Sequence, residues 1–357
     1  MNDSIQSDNY LSKEQISAFI KTKLKNMDLA GQRVLILMPD TTRTMPTQQV
    51  FEVIRTSLEP VVSQLDFMVA LGTHPALSPA ELSGLFGQEV VDGQIDASRI
   101  FNHSWDDPAS LATIGLITAE EITKLSRGKL HQDLIVRINR RIFDYDHLII
   151  FGPVFPHEVV GFSGGNKYFF PGISGPEVIN LTHWLGALLT SYTLIGSGYT
   201  PVRAMIDRAA EMIEKPRTCF AFVLDGGGTY GIFTGSPETA WEDASELSAE
   251  KHIIRTGRTY QRVLSVMPPM YTDLWVGAKG MYEVEPVVAD GGEVIIYAPH
   301  IHEVSPTHGA ILEEIGYHVI DYFTSQWDQF KDYPLGVLAH ATHVKGRGWF
   351  DIRTGNE

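Results

Sequence analysis

Short runs of apolar residues, each followed by a loop rich in glycine, proline or polar residues, recur along the first half of the chain. Such runs fill 33–38, 64–71 and 147–151, and the first is expected to lead into a helix from Thr47. After the second run, Ser78-Pro-Ala-Glu81 has the spacing of a capping box with proline at the first helical position. Apolar strands that alternate with helices predict a parallel sheet covered on both faces, in a three-layer α/β architecture.

Similar patterns continue through the second half of the chain. The elements predicted there are helices over 200–214 and 240–252 and strands over 218–224, 273–278 and 293–298. Because the strand pattern restarts after about residue 258, we expect two α/β domains, residues 1–258 and residues 259–357. Each is predicted to contain a largely parallel sheet flanked by helices, with the active site in the cleft between them.

Three of the predicted strands end in loops that carry chemically capable side chains. Asp40-Thr-Thr-Arg43 follows the first strand, His74 lies in the loop after the second, and His157 lies in the loop after the third. Because ligands of parallel α/β sheets bind outside the carboxyl ends of the strands, these loops are expected to meet at one edge. Further on, Gly164-Gly165 precede Lys167, and the paired glycines are expected to let the backbone approach a bulky ligand.

Each of these features has an ordinary structural explanation when it stands alone. A Gly-Gly-x-Lys sequence is most often a surface turn with a solvated lysine. A histidine among apolar neighbours, such as His183, most often packs in the core or completes a hydrogen bond. The functional interpretation therefore depends on the combination of these residues at one sheet edge, which is the default hypothesis for an active site.

Composition excludes several function classes. The 357 residues are 43% hydrophobic and 20% charged, as in a soluble globular enzyme, and the formal net charge of -15 opposes binding to nucleic acid or anionic membranes. The single cysteine, Cys219, excludes intrachain disulfides and thiolate-rich metal sites. The N-terminus lacks the pattern of a signal peptide and no apolar run is long enough to span a bilayer, so we expect a cytoplasmic protein.

The strand-end motifs resemble those of the nickel-pincer lactate racemase family. That family pattern consists of an Asp-x-Thr-Arg loop, a Gly-Thr-His loop, Pro-His followed by Gly-Phe-Ser-Gly-Gly-x-Lys and Pro-Gly, and then Asn-x-x-His. The chain carries these motifs in the same order at 40–43, 72–74, 156–157, 161–167, 171–172 and 180–183. In the second half, Gly277-Ala-Lys279-Gly280-Met281 is similar to the lysine loop of the family.

The resemblance implies a nickel-pincer nucleotide, a pyridinium bisthiocarboxylic acid mononucleotide that holds nickel through one carbon and two sulfurs. His183 matches the protein ligand of the nickel, and Lys167 matches the lysine that forms a thioamide with the cofactor in the lactate enzyme. Some relatives hold the cofactor without that bond. Asp40 is expected to steady the cofactor or the arginine, and the cofactor-binding set also includes Thr42, Ser163, Gly164 and Gly165. Transient contact with cofactor-synthesis proteins is expected.

The resemblance also implies a reaction. His74 and His157 match paired acid/base residues, and Arg43 and Lys279 match the groups that face a substrate carboxylate. Hydrogen on carbon 2 of a 2-hydroxy carboxylate is a poor acid, so its removal as hydride to a pyridinium carbon is easier, while a histidine takes the hydroxyl proton. Return of the hydride to the other face of a planar 2-keto acid would invert carbon 2. A racemase or epimerase is thus predicted, with the first domain binding the cofactor and the second closing over it.

Several alternatives stay open. The lactate enzyme has Tyr-Gln shortly before the lysine, whereas this chain has Trp275-Val276. That change indicates either a pocket for an aryl or branched hydroxy acid, or a tryptophan that only packs in a strand. The same cofactor would serve a sugar-acid epimerase acting at carbon 2. A lyase or aldolase that uses Lys167 as a Schiff base, and a non-catalytic nucleotide-binding protein, are the remaining hypotheses.

Three further sequence features carry little weight. The segment from Gly226 to Gly231 matches G-x-G-x-x-G, but no helix is expected to open at its last glycine. His300-Ile-His-Glu303 with His308 lacks the helical spacing of an H-E-x-x-H zinc site, so a loop lining the cleft is the favoured interpretation. Asp106-Asp107 before Pro108 is most simply a helix start.

Overall fold

A computed structural model describes residues 3–342 of the chain and contains one large sheet. The strands of this part are β1 (Asp3–Gln6), β2 (Arg33–Met38), β3 (Gln64–Val69), β4 (Gln94–Ile95), β5 (Ser98–Asn102), β6 (Leu111–Ile117), β7 (Leu134–Asn139), β8 (His147–Pro153), β9 (Pro156–His157), β10 (Gly161–Phe162), β11 (Arg217–Asp225), β12 (Gly228–Gly235), β13 (Tyr260–Val266) and β14 (Val288–Tyr297).

Helices connect and cover these strands. They are α1 (Lys13–Lys25), α2 (Thr47–Leu58), α3 (Pro79–Phe86), α4 (Ala119–Leu125), α5 (Pro176–Leu189), α6 (Ser191–Leu194), α7 (Pro201–Ala210), α8 (Pro237–His252), α9 (Leu274–Gly277), α10 (Lys279–Tyr282), α11 (Gly309–Ile315), α12 (Ile320–Ser325), α13 (Trp327–Phe330) and α14 (Leu335–His340). Short 3-10 helices lie at Pro108–Ser110, Arg140–Asp144, Gly165–Tyr168 and Glu285–Val287. No helix in residues 3–342 has the length and apolar character needed to cross a bilayer.

The large sheet is mostly parallel. Its strand order is β1-β12-β11-β8-β2-β3-β5-β4, and the five strands from β11 to β5 run parallel to one another. Antiparallel pairs occupy both edges: β12 pairs antiparallel with β11 and with β1 on one side, and β4 pairs antiparallel with β5 on the other. The prediction of an α/β fold with a largely parallel sheet is therefore confirmed.

Alternate residues of the central strand β2 enter two different cores. Val34 and Ile36 pack in a cluster with apolar residues of α1, α2 and α3, whereas Leu35 and Leu37 pack in a cluster with residues of α4, α5, α7 and α8. Side chains of a strand point alternately to opposite faces, so helices cover the sheet on both sides. This arrangement accounts for the uninterrupted apolar runs in the sequence.

Local turn chemistry positions the first helices as expected. Helix α2 begins at Thr47, and α3 begins after a capping box in which the Ser78 hydroxyl accepts a hydrogen bond from the Glu81 N–H. The Glu81 carboxylate accepts the reciprocal bond from the Ser78 N–H at 2.8 Å. Asp107 likewise caps a short 3-10 helix that opens with Pro108. These caps satisfy amide groups that a helix start would otherwise leave without partners.

The strand predicted over 273–278 is wrong. Asp273 accepts a hydrogen bond from the Val276 N–H at 2.9 Å and caps helix α9. A short apolar run has no decisive period, so a capping aspartate is enough to favour a helical turn. The helix predicted over 200–214 ends at Ala210, and β13 was not predicted.

The chain after residue 258 contains a smaller sheet and short helices. Strands β13 and β14 pair in parallel, from Tyr260 opposite Val288 to Val266 opposite Tyr297. Helix α14 contacts α5, and the Gly336 N–H donates a hydrogen bond to Asn180 Oδ1 at 2.9 Å. The division into residues 1–258 and 259–357 stays a prediction, and residues 343–357 of the second unit lie outside the described part.

We predict that Phe151→Ala lowers the free energy of unfolding by about 3–5 kcal/mol. Phe151 is fully buried in β8, and its ring stacks on Phe220 of β11 with centroids 4.3 Å apart. Truncation therefore leaves a cavity in the middle of the sheet. Urea denaturation followed by circular dichroism measures the loss. The control is Phe143→Ala, which removes a ring that is 42% exposed and should change the stability by at most about 0.5 kcal/mol. Equal losses in both variants would contradict the prediction.

Candidate active site

A cavity lies at the carboxyl edge of the parallel strands, among the loops that follow β2, β3 and β8. Helix α5 and the short helices α9 and α10 complete its wall. The predicted site residues that line it are Asp40, Arg43, His74, His157, Ser163, Gly164, Lys167, His183 and Lys279. Two other predicted residues, Thr42 and Gly165, lie behind this lining. The structure thus brings together side chains from segments that are far apart in the sequence.

Asp40 and His74 form a close pair between the first two loops. The Nδ1 atom of His74 lies 2.5 Å from Asp40 Oδ2. Burial opposes the charge on Asp40, but the hydrogen bond and charge of His74, together with Arg43 and Thr42, keep the pKa of Asp40 well below its usual value. The ionised carboxylate can only accept, so Nδ1 of His74 carries the proton. The Nε2 atom of neutral His74 is consequently a lone-pair site suited to a general base.

Asp40 also steadies Arg43, through Thr42. The Thr42 hydroxyl donates to Asp40 Oδ1 at 2.5 Å and accepts from Arg43 Nη1 at 2.7 Å. The guanidinium also lies over the Phe155 ring, 5.6 Å from its centroid. Thr42 therefore acts between the aspartate and the arginine rather than at the cavity surface. Arg43 keeps other N–H groups with which it can bind an anion.

The glycine-rich loop is held mainly by the protein itself. At Gly164 and Gly165 the φ angles are +82° and +59°, where residues with side chains are strained. A Cβ at Gly165 would lie 2.8 Å from the Cβ of Trp241, so helix α8 occupies that side of the loop and the cavity does not. The Ser163 hydroxyl donates to the Pro153 carbonyl at 3.1 Å and accepts from the Phe155 N–H at 3.0 Å. A Cβ at Gly164 would likewise lie 2.5 Å from Val154 Cγ2, so both glycines relieve contacts within the protein. Of the two, Gly164 lines the cavity, and the close approach of a ligand there stays a prediction.

Arg203 of α7 holds this loop through hydrogen bonds. The sequence analysis did not identify Arg203 as a residue of the site. Its guanidinium is buried, donates to the carbonyls of Phe162 at 2.6 Å and Gly164 at 3.1 Å, and lies 4.2 Å from the ring centroid of Trp241. Burial lowers the pKa of Arg203 to about 10, so the group stays charged at neutral pH. A buried arginine shared by two carbonyls fixes the loop that carries Lys167. Nothing local in the sequence of α7 indicates this contact.

Lys167 follows the glycine pair in a 3-10 helix and faces the cavity. Burial, followed by the positive charges of Arg43 and Lys279, lowers the pKa of Lys167 to about 7. No group in residues 3–342 accepts a hydrogen bond from its Nζ atom. A large fraction of this amine is therefore neutral and nucleophilic near pH 7.

His183 lies on α5 and is suited to bind a metal through one nitrogen. Its Nδ1 atom donates to the carbonyl of Ile179 at 2.7 Å, which leaves the Nε2 lone pair available. Burial lowers the pKa of His183 to about 4, so the ring is neutral, as a metal ligand must be. No cluster of three His, Cys, Asp or Glu residues in the described chain could hold a metal ion. One open nitrogen fits a metal ion whose other ligands belong to a cofactor.

His157 has a different arrangement, as the last residue of β9 before the turn to β10. Its Nδ1 accepts a hydrogen bond from the Val159 N–H at 3.1 Å, and burial keeps its pKa well below the usual value. Glu158 Oε2 lies 3.3 Å from the same Nδ1, and Glu158 Oε1 accepts from Lys279 Nζ at 2.6 Å. Burial opposes the charge on Glu158, but His157 and Lys279 keep its pKa well below the usual value. Sequence reasoning missed Glu158, although it directly follows His157.

An aromatic wall closes the side of the cavity formed by the second half of the chain. Trp275 lies on α9, lines the cavity and stacks on His340 with centroids 3.8 Å apart. The interpretation that Trp275 only packs in a strand is therefore wrong. Burial lowers the pKa of His340 to about 3, so this ring is neutral. His340 and Tyr282 also line the cavity and were not predicted, because their contacts come from distant short helices.

The G-x-G-x-x-G segment and the histidines at 300 and 308 have other structural roles. The segment from Gly226 to Gly231 forms the turn and first residues of the antiparallel β11–β12 hairpin. His300 Nε2 lies 3.0 Å from the Tyr271 carbonyl, and His308 packs against Trp275 with ring centroids 4.5 Å apart. Neither motif forms a nucleotide fingerprint or a metal cluster within residues 3–342.

Comparisons with known proteins agree with this architecture. Two curated relatives named Lactate racemase match the chain: one from Thermoanaerobacterium thermosaccharolyticum is 23% identical over 291 residues, which cover 80% of this chain and 63% of that protein. One from Lactiplantibacillus plantarum is 25% identical over 295 residues, which cover 77% of this chain and 62% of that protein. The match thus spans less than two thirds of the length of each curated relative.

Solved structures share the fold. A crystal structure of a protein from Thermotoga maritima superposes with a TM-score of 0.88 at 29% sequence identity, covering 99% of this chain and 87% of that chain. The lactate racemase apoprotein from Thermoanaerobacterium thermosaccharolyticum superposes with a TM-score of 0.72 at 20% identity, covering 93% of this chain and 78% of that chain. The family described as Lactate racemase N-terminal domain matches residues 7–193, which is more than half of the sequence. The chain therefore belongs to the lactate racemase N-terminal domain family.

Proposed function

We propose that the protein is an isomerase that inverts carbon 2 of a 2-hydroxy carboxylate by reversible hydride transfer. The observation that carries this proposal is that His74, His157 and His183 line one cavity together with Lys167, although they come from separate segments. Lactate is the first substrate to test, because the curated relatives carry that name. The Trp275–His340 wall supports larger 2-hydroxy acids as further candidates.

The proposed cofactor is the nickel-pincer nucleotide. His183 would bind the nickel through Nε2, because Nδ1 is committed to the Ile179 carbonyl. Lys167, which lines the cavity, would lie beside the nucleotide. As a neutral amine it could form a covalent link with the cofactor. When bound, the cofactor would supply an acceptor for the hydrogen that leaves carbon 2 with its electron pair.

Proton transfer would be the work of the chain's own residues. His74 Nε2 would take the hydroxyl proton of the substrate, while Asp40 stabilises the resulting imidazolium and holds the ring in orientation. His157 would serve the opposite enantiomer. The carboxylate would bind Arg43 and Lys279, which lie on loops from the two halves of the chain. Enclosure by Phe155 and Trp275 would limit the access of water to the keto acid.

Two other functions are kept as alternatives. A sugar-acid epimerase would use the same groups on a more polar substrate. The lowered pKa of Lys167, about 7, also suits a Schiff-base lysine in a lyase or aldolase. Borohydride with a keto substrate would trap such an enzyme at Lys167, and nickel-dependent inversion without trapping would exclude it.

The test of the proposed function is a chiral assay of lactate, larger 2-hydroxy acids and aldonates, with protein produced alongside cofactor-synthesis enzymes. We expect inversion in deuterium oxide without deuterium at carbon 2, because hydride does not exchange with water whereas a transferred proton does. Protein made without those enzymes is the control and should be inactive. Full activity in nickel-free protein would contradict the proposal.

We predict that His183→Ala abolishes nickel retention, measured by metal analysis of the purified protein. The variant removes His183 Nε2, the nitrogen of that ring that the hydrogen bond to Ile179 leaves open for the metal. His147→Ala is the matched control, because this histidine hydrogen-bonds to Thr218 at 2.9 Å and does not line the cavity. His74→Ala should keep the nickel but lose turnover by about 100-fold or more. Unchanged nickel in His183→Ala would show that the ligand assignment is wrong.

We predict that Asp40→Asn lowers turnover by about 100-fold or more while nickel content stays unchanged. The amide cannot stabilise a positive His74, and its NH₂ group competes for the orientation of the ring. Chiral assay and metal analysis of the same preparation measure the two effects. Asp146→Asn, which removes a surface carboxylate paired with Arg33 at 2.8 Å, is the control. Wild-type turnover in Asp40→Asn would remove the aspartate from the mechanism.

A further inference from the structure

Glu158 lies between two groups that the proposed reaction needs. It occupies the turn between β9 and β10, and its carboxylate binds Lys279 Nζ through Oε1 at 2.6 Å while Oε2 faces His157 Nδ1 at 3.3 Å. Its side chain is only 16% exposed, and that of Lys279 only 13%. Lys279 is therefore already paired with an internal carboxylate at the place where a substrate carboxylate would bind.

The Nδ1 atom of His157 meets two groups with opposite requirements. The Val159 N–H donates to Nδ1 at 3.1 Å, which requires a lone pair there. The Glu158 carboxylate, 3.3 Å away, can only accept, so it favours a proton on the same nitrogen. While Lys279 binds Glu158, the neutral form of His157, which accepts the hydrogen bond from the Val159 N–H, is favoured. Without Lys279, the carboxylate would favour a doubly protonated imidazolium.

The charges around His157 are otherwise positive. Burial is the main cause that disfavours a positive His157, and the charges of Lys167 from the 3-10 helix, Lys279 from α10 and Arg43 from the β2–α2 loop disfavour it further. Glu158 is the one group among those that act on His157 whose charge favours protonation. Its carboxylate, 3.3 Å from Nδ1, is therefore placed to favour a second proton on His157. A histidine must hold that proton before it can return it to a keto oxygen.

We propose, on the basis of the proposed function, that for the enantiomer whose hydroxyl faces His74, Glu158 couples the binding of the substrate carboxylate at Lys279 to proton uptake by His157. The substrate carboxylate displaces Glu158 from Lys279, and Glu158 then accepts a hydrogen bond from His157 Nδ1–H. The proton comes from solvent, and the Val159 N–H loses its bond to Nδ1. One negative charge and one proton enter together, so the buried charge stays balanced. Glu158 is a positioning residue that acts through His157.

The test measures proton uptake directly in the cofactor-loaded protein. The probe is 2-hydroxyisobutyrate, which has the carboxylate and hydroxyl of a substrate but no hydrogen on carbon 2. Titration calorimetry at neutral pH in phosphate and in Tris gives the number of protons taken up from the difference in heat between the buffers. We expect uptake of about one proton in the wild type and none in Glu158→Gln.

Steady-state kinetics adds a second measurement. In Glu158→Gln the probe should bind roughly tenfold more tightly. In the wild type Lys279 must give up its bond to the Glu158 carboxylate before it binds the probe carboxylate, and the variant has no such carboxylate to give up. The value of KM should fall for the same reason, and kcat should fall because His157 cannot hold its second proton. A purely structural role would lower kcat without tightening the binding of a carboxylate. Glu121→Gln is the matched control, since this carboxylate also pairs with a basic side chain, that of Arg208, but does not line the cavity.

Histidine NMR on the full chain provides a measurement that does not depend on turnover. Glu158→Gln should move the His157 titration to lower pH, and Lys279→Met should move it to higher pH, because the two variants remove opposite charges. Shifts of the same sign would overturn the coupling, as would unchanged proton uptake in Glu158→Gln or absence of probe binding to the wild type. Coupling observed in a protein that racemises no hydroxy acid would instead overturn the proposed function.

Discussion

The parallel pairing of five strands is the constraint on which the rest of the structure depends. Because β11, β8, β2, β3 and β5 run in one direction, their loops emerge at the same edge of the sheet. Burial of both faces fixes the strands, so residues placed one to six positions after a strand end have little choice of location. Asp40 and His74 meet for this reason, although they belong to different loops.

The second constraint is the balance of charge inside the cavity. The formal charge of the whole chain is -15, yet Arg43, Lys167 and Lys279 converge where anions are expected to bind. Asp40 and Glu158 offset part of this positive charge, and each does so by contact with a histidine as well. Within the described residues Lys167 has no such contact, and burial lowers the pKa of its amine to about 7. Net charge, from which we expect no binding to nucleic acid, therefore does not describe the cavity.

Sequence patterns were sufficient wherever local chemistry decides the structure. The apolar runs of β2, β3 and β8 and the Ser78–Glu81 capping box needed no information from distant residues, and most of the candidate site follows from the loops behind them. Prediction failed where contacts join distant segments. Glu158 and Lys279 are 121 residues apart, and the support from Arg203 to Gly164 spans 39 residues. The helix at 273–278 was missed because a capping aspartate outweighed an apolar run.

The chain's single cysteine bears on the nature of any metal site. Cys219 is buried in β11, and burial raises its pKa to about 12, so it remains a neutral thiol at neutral pH. A neutral buried thiol is a poor metal ligand, and no methionine of the described residues lines the cavity, so this part of the chain offers the cavity no sulfur donor. His183, by contrast, is neutral and presents one open nitrogen. If the site binds nickel with soft donors, as the proposed function requires, those donors must come from the cofactor, and the protein's share of the coordination is a single imidazole.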